Sequence, residues 1–215
     1  MEASLALAHK LRAGLATLDV AVAGDAQARL IAYVDLLAHW NRAYNLTAVR
    51  VPADMVARHL LDSLAILPHV HGTTLADLGS GAGLPGIPLA VASPDVSVTL
   101  IESNGKKARF LREAARSLPL PNVRIEQVRV QAAVGAFDTV TSRAFAGLGD
   151  MLAWGGHLLA PDGRWLAMKG RVDRDELAAA APAFRVVAVH PLSVPDIAAE
   201  RNLVVLARAA AVGSR

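Results

Sequence analysis

Apolar positions recur at two different spacings along the chain, and the change between them divides it. In the first ~60 residues the spacing is helical. Leu30, Val34, Leu37 and Trp40, with Leu36 beside them, predict one helix; Met55, His59, Leu60, Ser63 and Leu64 predict a second. The second follows Pro52 and Asp54, residue types that suit a helix start. Asn41–Arg50 is polar around Tyr44-Asn45-Leu46-Thr47 and reads as a link.

From Thr73 short apolar runs alternate with helical segments. Thr74–Leu78, Val96–Ile101, Val123–Val128, Phe137–Ser142 and Gly163–Met168 read as strands, the last following a Pro161-Asp162-Gly163 turn. Helices are expected from about Pro85 and over Gly105–Leu118, Met151–Leu159 and Asp173–Ala181. Such a βαβ series builds a largely parallel sheet with helices on both faces. The last two strands, Phe184–His190 and Asn202–Arg208, have no long helix between them. They are expected to pair as a hairpin and put one antiparallel strand in a seven-stranded sheet. Residues 1–68 are therefore read as a helical extension packed on an α/β domain of residues 69–208, with Ala209–Arg215 a frayed tail.

Composition narrows the chemistry. The 215 residues include no cysteine, which excludes disulfides, cysteine-ligated metals and a cysteine nucleophile, and fits a reducing cytoplasm. No metal site is expected. The formal net charge of +3 permits an anionic partner such as RNA. Met1–Leu15 carries Glu2, His9, Lys10 and Arg12 and does not read as a signal peptide. The longest apolar stretches, such as Leu203–Ala207 and Ala209–Val212, fall far short of the roughly 20 residues of a membrane span. A monomer without membrane attachment is expected.

The sharpest local signal is Asp77-Leu78-Gly79-Ser80-Gly81-Ala82-Gly83-Leu84-Pro85-Gly86, between a strand and a helix. Glycines allow a tight turn and close approach of a ligand to the backbone, and in an open α/β sheet this loop lies where ligands bind. No Gly-Lys-Ser/Thr follows, so it is not a triphosphate loop. Asp77 precedes the first glycine, where it would repel a pyrophosphate but suits a ligand with sulfonium and ammonium groups. Glu102 ends the second strand, where a carboxylate accepts ribose hydroxyls. Asp77, Gly79, Gly81, Gly83 and Glu102 together fit S-adenosylmethionine better than NAD. An NAD-dependent oxidoreductase and a non-catalytic RNA-binding protein on the same fold are the alternatives.

The fourth strand ends in Thr141-Ser142-Arg143-Ala144-Phe145, without the Asn/Asp-Pro-Pro-aromatic motif of exocyclic-amine methylation. Carbon-5 pyrimidine methylation needs the absent cysteine. What remains includes atoms nucleophilic without help, guanine N7 among them. Such a reaction needs alignment more than a general base, and no acid–base residue is assigned.

Six segments, in order, carry a closer likeness. They are Trp40–Thr47, Arg58–Ser63, the Gly79–Pro88 loop, Ser142–Phe145, Met168-Lys169-Gly170 and Glu200-Arg201-Asn202-Leu203. From about Leu30 to Arg208 the chain resembles the bacterial ribosomal RNA small-subunit methyltransferase G family, also called glucose-inhibited division protein B. The resemblance implies a Rossmann-like methyltransferase fold. It also implies S-adenosyl-L-methionine as methyl donor and N7 of guanine 527, in the 530 loop of 16S rRNA, as acceptor. By motif it puts the cofactor at Gly79, Leu84, Val130, Gln131 and Arg143, and Glu102 at the family's ribose position. The family commonly has an acidic residue where this chain has Gln131, whose amide can still hydrogen-bond adenine.

Arg58, His59, Arg143, Lys169 and Arg201 are candidates for phosphate or guanine contacts. Lys169 and Arg143 stand out because each follows a strand's carboxyl end. His59 has a plain alternative as a packing histidine. Phe145 and Trp154 are candidates for stacking on an unpaired guanine, though core packing is the commoner fate of a tryptophan. Lys106, Lys107, Arg109, Arg112 and Arg116 make a basic helix face, either merely solvated or part of a broad RNA footprint.

Overall fold

The computed structural model describes residues 2–143, 147–172, 174–178, 180 and 183–209. Seven strands form one sheet: β1 Thr74–Leu78, β2 Ser97–Ile101, β3 Val123–Glu126, β4 Phe137–Arg143, β5 Leu159–Lys169, β6 Phe184–Pro191 and β7 Asn202–Arg208. Their spatial order is β3-β2-β1-β4-β5-β7-β6. Strands β1 to β5 pair in parallel, and β7 runs antiparallel between β5 and β6. The α/β class and the single antiparallel strand agree with the sequence pattern. The chain steps outward from β1 through β2 to β3, then returns to place β4 on the other side of β1. That reversal opens a crevice at the carboxyl ends of β1 and β4.

The helices are α1 Glu2–Leu18, α2 Gly24–Tyr44, α3 Pro52–Met55, α4 Asp62–Leu64, α5 Gly86–Ala92, α6 Gly105–Ser117, α7 Leu148–Gly155 and α8 Arg174–Ala178. Alternation along β1 sorts them between two faces. Leu75 packs with α1, α2, α5 and α6, among Leu11, Leu30, Leu37, Ile87 and Phe110. Ala76 and Leu78 point to the other face, with Met151 and Leu152 of α7 and with Trp165. Helix α2 lies against α6 through Trp40, whose ring centroid is 5.7 Å from that of Phe110. At the start of α6, Asn104 accepts from the N–H groups of Lys106 and Lys107 at 3.0 and 3.2 Å, satisfying two otherwise orphaned donors. No helix among the described residues is long and apolar enough to cross a membrane.

Three local features differ from the sequence reading. Helix α2 runs through Asn41 to Tyr44, so the polar link is shorter than expected. Between α3 and α4 the chain makes a π-helical turn over Val56–Leu61, which apolar spacing does not distinguish from an ordinary helix. Strand β5 begins at Leu159 and runs through Pro161-Asp162-Gly163, where the composition predicts a turn. Its pairing with β4 shifts register beside Asp138. A Cβ at Gly163 would lie 3.0 Å from the carbonyls of Phe137 and Asp138, so the glycine admits a close strand approach at a bulge. The expected stacking residue Phe145 and most of the expected tail, 210–215, lie outside the described residues.

Candidate functional site

Two adjoining cavities open at the carboxyl ends of β1, β4 and β5. The first, about 420 Å³, is bounded by Gly79, Glu102, Val130, Gln131 and Arg143, with Trp154 also in its wall. The second, about 370 Å³, is lined by Arg58, His59, Asp62, Arg143, Lys169 and Arg201. Arg143, the last residue of β4, belongs to both.

The first cavity is built by the glycine loop and the end of β2. Gly79, Gly81 and Gly83 have φ values of 65°, 60° and 88°, in the left-handed region that side chains disfavour. A Cβ at Gly81 would meet only the Gly79 carbonyl, 3.8 Å away, so that face of the loop is open. Glu102 is 7% exposed. Its Oε2 accepts from the N–H of Gly81 at 2.9 Å and its Oε1 from Asn104 at 2.8 Å. Each oxygen keeps lone pairs that can accept a ligand diol. Ile101, Val128 and Val130 supply apolar surface, and Gln131 supplies an amide at the edge.

Asp77, Gly81, Gly83 and Leu84 are not in that wall. Asp77 is fully buried behind the loop, on the side of β1 that faces α5. Its Oδ2 accepts from the N–H of Gly86, the first residue of α5, at 3.0 Å. Its Oδ1 is buried without a hydrogen-bond partner. Burial pushes the carboxyl up to about 7, against the lowering effects of the Gly86 N–H, Arg143 and Ser80. The helix start that would receive a pyrophosphate in a dinucleotide site is therefore already occupied by an internal carboxyl group. Gly83 packs inward, since a Cβ there would overlap Ile87. Leu84 is buried in the core.

The second cavity is organised by Asp62, 4% exposed. Its Oδ2 accepts from Arg143 Nη1 at 2.9 Å and its Oδ1 from Arg201 Nε at 3.2 Å. Arg143 Nη1 also donates to the carbonyl of Arg58 at 3.1 Å. One carboxylate thus holds guanidinium groups from two strand ends, and the cavity retains excess positive charge. Lys169 Nζ lies 2.6 Å from Glu176 of α8. His59 is buried with Nε2 2.9 Å from Thr47 Oγ1, and its Nδ1 lacks a hydrogen-bond partner. Burial, and then the nearby Arg143 charge, push its pKa down to about 4, so the imidazole is neutral at pH 7. His59 is buried, as the packing reading expects, and it also lines this cavity.

Sequence reasoning gives no role to Asp62, although it lies four residues after Arg58, a spacing that puts both on one side of a helix. It also passes over Arg129 and Val128 in the first cavity's wall, and Tyr33 behind the glycine loop. Only tertiary structure brings those residues to the site.

A family model described as rRNA small subunit methyltransferase G matches residues 26–204. The "Ribosomal RNA small subunit methyltransferase G" of Xanthomonas campestris pv. campestris (strain B100) is 53% identical over 207 residues, 95% of each chain. That of Neisseria meningitidis serogroup C (strain FAM18) is 48% identical over 202 residues, 93% of this chain and 98% of that protein. Among solved structures, M. jannaschii TYW2 in complex with AdoMet superposes with a TM-score of 0.53 at 16% identity, over 66% of this chain and 73% of that one. At that identity the likeness is one of fold.

Proposed function

The chain belongs to the rRNA small subunit methyltransferase G family, and on that premise we propose that it transfers a methyl group from S-adenosyl-L-methionine to N7 of guanine 527 in 16S rRNA. The coarser statement, methylation of small-subunit ribosomal RNA, follows from membership. The base, the atom and the residue roles are our reading. It takes the enzyme as a cytoplasmic monomer, with residues 1–68 a helical extension of a catalytic domain at 69–208.

The residues of the first cavity fit this cofactor. Glu102 has acceptor capacity for the ribose hydroxyls. Val130 and Gln131 suit the faces and edge of adenine. Gly79 and Arg143 line the cavity itself, and the open side of the neighbouring Gly81 leaves room for the ligand against the backbone. Asp77, Gly83 and Leu84 act from behind, by shaping the loop. The single observation that carries the choice of cofactor is the Asp77–Gly86 hydrogen bond. It closes the helix start to a pyrophosphate, disfavouring NAD, and adds an acidic group behind a site for a cationic ligand.

When bound, the cofactor supplies an electrophilic methyl group on sulfur. Guanine N7 presents an unshared electron pair and carries no proton, so methylation releases none and needs no base. What the chain must do is align the base with the methyl group. The second cavity is suited to that alignment, because Arg143 and Arg201, fixed by Asp62, offer donors to phosphate or to guanine O6. Neutral His59 adds a polar wall without further charge. Arg58 adds attraction for the RNA backbone, and Lys169, paired with Glu176, is placed to contact it if that pair opens.

The test is transfer of label from methyl-tritiated S-adenosylmethionine to 16S rRNA and to 30S subunits, with the modified base mapped by mass spectrometry. One methyl group on N7 of guanine 527 is expected. Label on another base or atom contradicts the specific reading, and absence of label on any RNA contradicts the general one.

A further inference from the structure

The first cavity carries two cations beside the residues that suit the proposed cofactor's uncharged adenosine, whereas the cofactor's one anionic group, the methionine carboxylate, is at its other end. Lys107, in the first turn of α6, and Arg129, in the segment after β3, both line it. Neither forms an ion pair among the described residues. Other cations nearby are engaged: Arg112 donates to Gln127 at 3.1 Å, Arg116 pairs with Glu113 at 2.7 Å, and Arg124 with Glu126 at 3.2 Å. The cavity is walled on this side by Glu102, Val130 and Gln131, the residues that suit ribose and adenine.

S-adenosylmethionine has no phosphate, and its adenosine end is uncharged. Its net charge is positive. Cations beside the adenosine end therefore repel the ligand weakly instead of holding it. They are suited to a polyanion. Lys106 and Arg109, exposed on the same helix, continue the positive surface away from the cavity. Arg143 is shared with the second cavity, so a strand whose base enters the second cavity lies next to the mouth of the first.

We infer that the substrate RNA backbone crosses the mouth of the cofactor cavity with phosphates held by Lys107 and Arg129, so that bound RNA covers the cofactor. This rests on the proposed function. It adds an order of events: cofactor enters first, RNA closes the cavity, and the demethylated cofactor leaves only after the RNA has moved away.

The test uses the full chain, Lys107→Gln, Arg129→Gln and the double variant, with Arg116→Gln as control at the far end of α6. Cofactor affinity without RNA is measured by calorimetry. Dissociation of labelled cofactor is followed by chase, with and without 16S rRNA. For the wild type, RNA is expected to slow dissociation by about tenfold or more, an effect that weakens as salt rises. The double variant is expected to lose most of the slowing and to flatten the slope of log RNA affinity against log salt by about 1.4 for two single-strand phosphate contacts. Without RNA it should bind the cofactor at least as tightly as the wild type. Two results overturn the inference: wild-type cofactor release that RNA does not slow, or variants that bind cofactor more weakly without RNA while keeping the wild-type salt slope. A wild-type chain that methylates rRNA yet releases cofactor freely refutes only this inference. A chain that neither binds the cofactor nor methylates rRNA refutes the proposed function beneath it.

Discussion

The hydroxyl of Tyr33 donates to the carbonyl of Ala82 at 2.7 Å, across 49 residues of sequence. Tyr33 lies on α2 and is fully buried; Ala82 lies in the loop between Gly81 and Gly83. Burial pushes the phenol above its ordinary range, so it remains a donor at any working pH. The N-terminal helices thus grip the glycine loop from behind. Tyr33→Phe keeps the ring and leaves the Ala82 carbonyl unpaired, at a cost of about 1–3 kcal/mol. Urea unfolding should register that loss. Cofactor KM should rise several-fold while kcat at saturation changes little. Equal falls in kcat and kcat/KM would mean that the bond serves the chemical step instead of the loop.

Asp62 holds Arg143 and Arg201 together, and its removal leaves two guanidinium groups crowded without an anion. The arginine side chains are 19% and 26% exposed, so water screens part of the resulting repulsion. For Asp62→Asn, kcat/KM for RNA is expected to fall by roughly ten- to a hundredfold, about 1.4–2.8 kcal/mol of lost transition-state stabilisation. Cofactor affinity should move much less. Single-turnover methylation alongside cofactor calorimetry separates the two effects. A variant that loses only cofactor binding would assign Asp62 to the other cavity.

The parts of this site that local sequence encodes are those fixed by backbone demands. Gly79, Gly81 and Gly83 sit at positive φ because the turn requires it, and Thr74–Leu78 is legible as an apolar run ending at the first of them. Side-chain partnerships across the fold are not legible. Asp77 precedes the glycines as a ligand acid would, yet the direction of β1's alternation turns it toward α5 and the helix start. The π-helical turn that carries Arg58 and His59 has the same apolar content as an α-helix. Pro161-Asp162-Gly163 has the composition of a turn, and only its pairing partner β4 makes it a bulge within a strand.

Gly81 and Gly83 look alike in sequence and should fail in different ways. Alanine at either must adopt a left-handed backbone, a cost of roughly 1–2 kcal/mol. At Gly81 the new methyl group points into open space. The protein should fold with a modest loss of stability and, if the ligand lies against the loop as proposed, lose most cofactor affinity to the methyl group in its way. At Gly83 the methyl group meets Ile87 at 2.5 Å, so overpacking adds to the backbone strain. Gly83→Ala should be the less stable of the two by more than about 1 kcal/mol. Denaturation together with calorimetry checks both; Gly81→Ala with normal cofactor affinity would exclude the ligand from that side of the loop.

Two buried titrating groups, His59 and Asp77, oppose each other in their effect on stability. His59 is held at about 4, below its usual 6.5. Between those values the unfolded chain carries the extra proton, so this group makes stability rise with pH, levelling off above 6.5. Asp77 is held at about 7, above its usual 3.8. Between those values the folded chain carries the extra proton, so this group makes stability fall with pH, with the full penalty above 7. The contributions largely cancel from pH 4 to 6.5, each amounting to a few kcal/mol in magnitude. Single variants separate them. Asp77→Asn keeps an acceptor for the Gly86 N–H and removes the falling limb, so its stability relative to wild type should climb as pH goes from 4 to 7. His59→Gln removes the rising limb, so its relative stability should decline from pH 4 to 6.5. Urea denaturation at four pH values across this window measures both differences. If the Asp77→Asn difference stays level with pH, then Asp77 is ionised in the folded chain across that range, and the Gly86 N–H, Arg143 and Ser80 outweigh the cost of its burial.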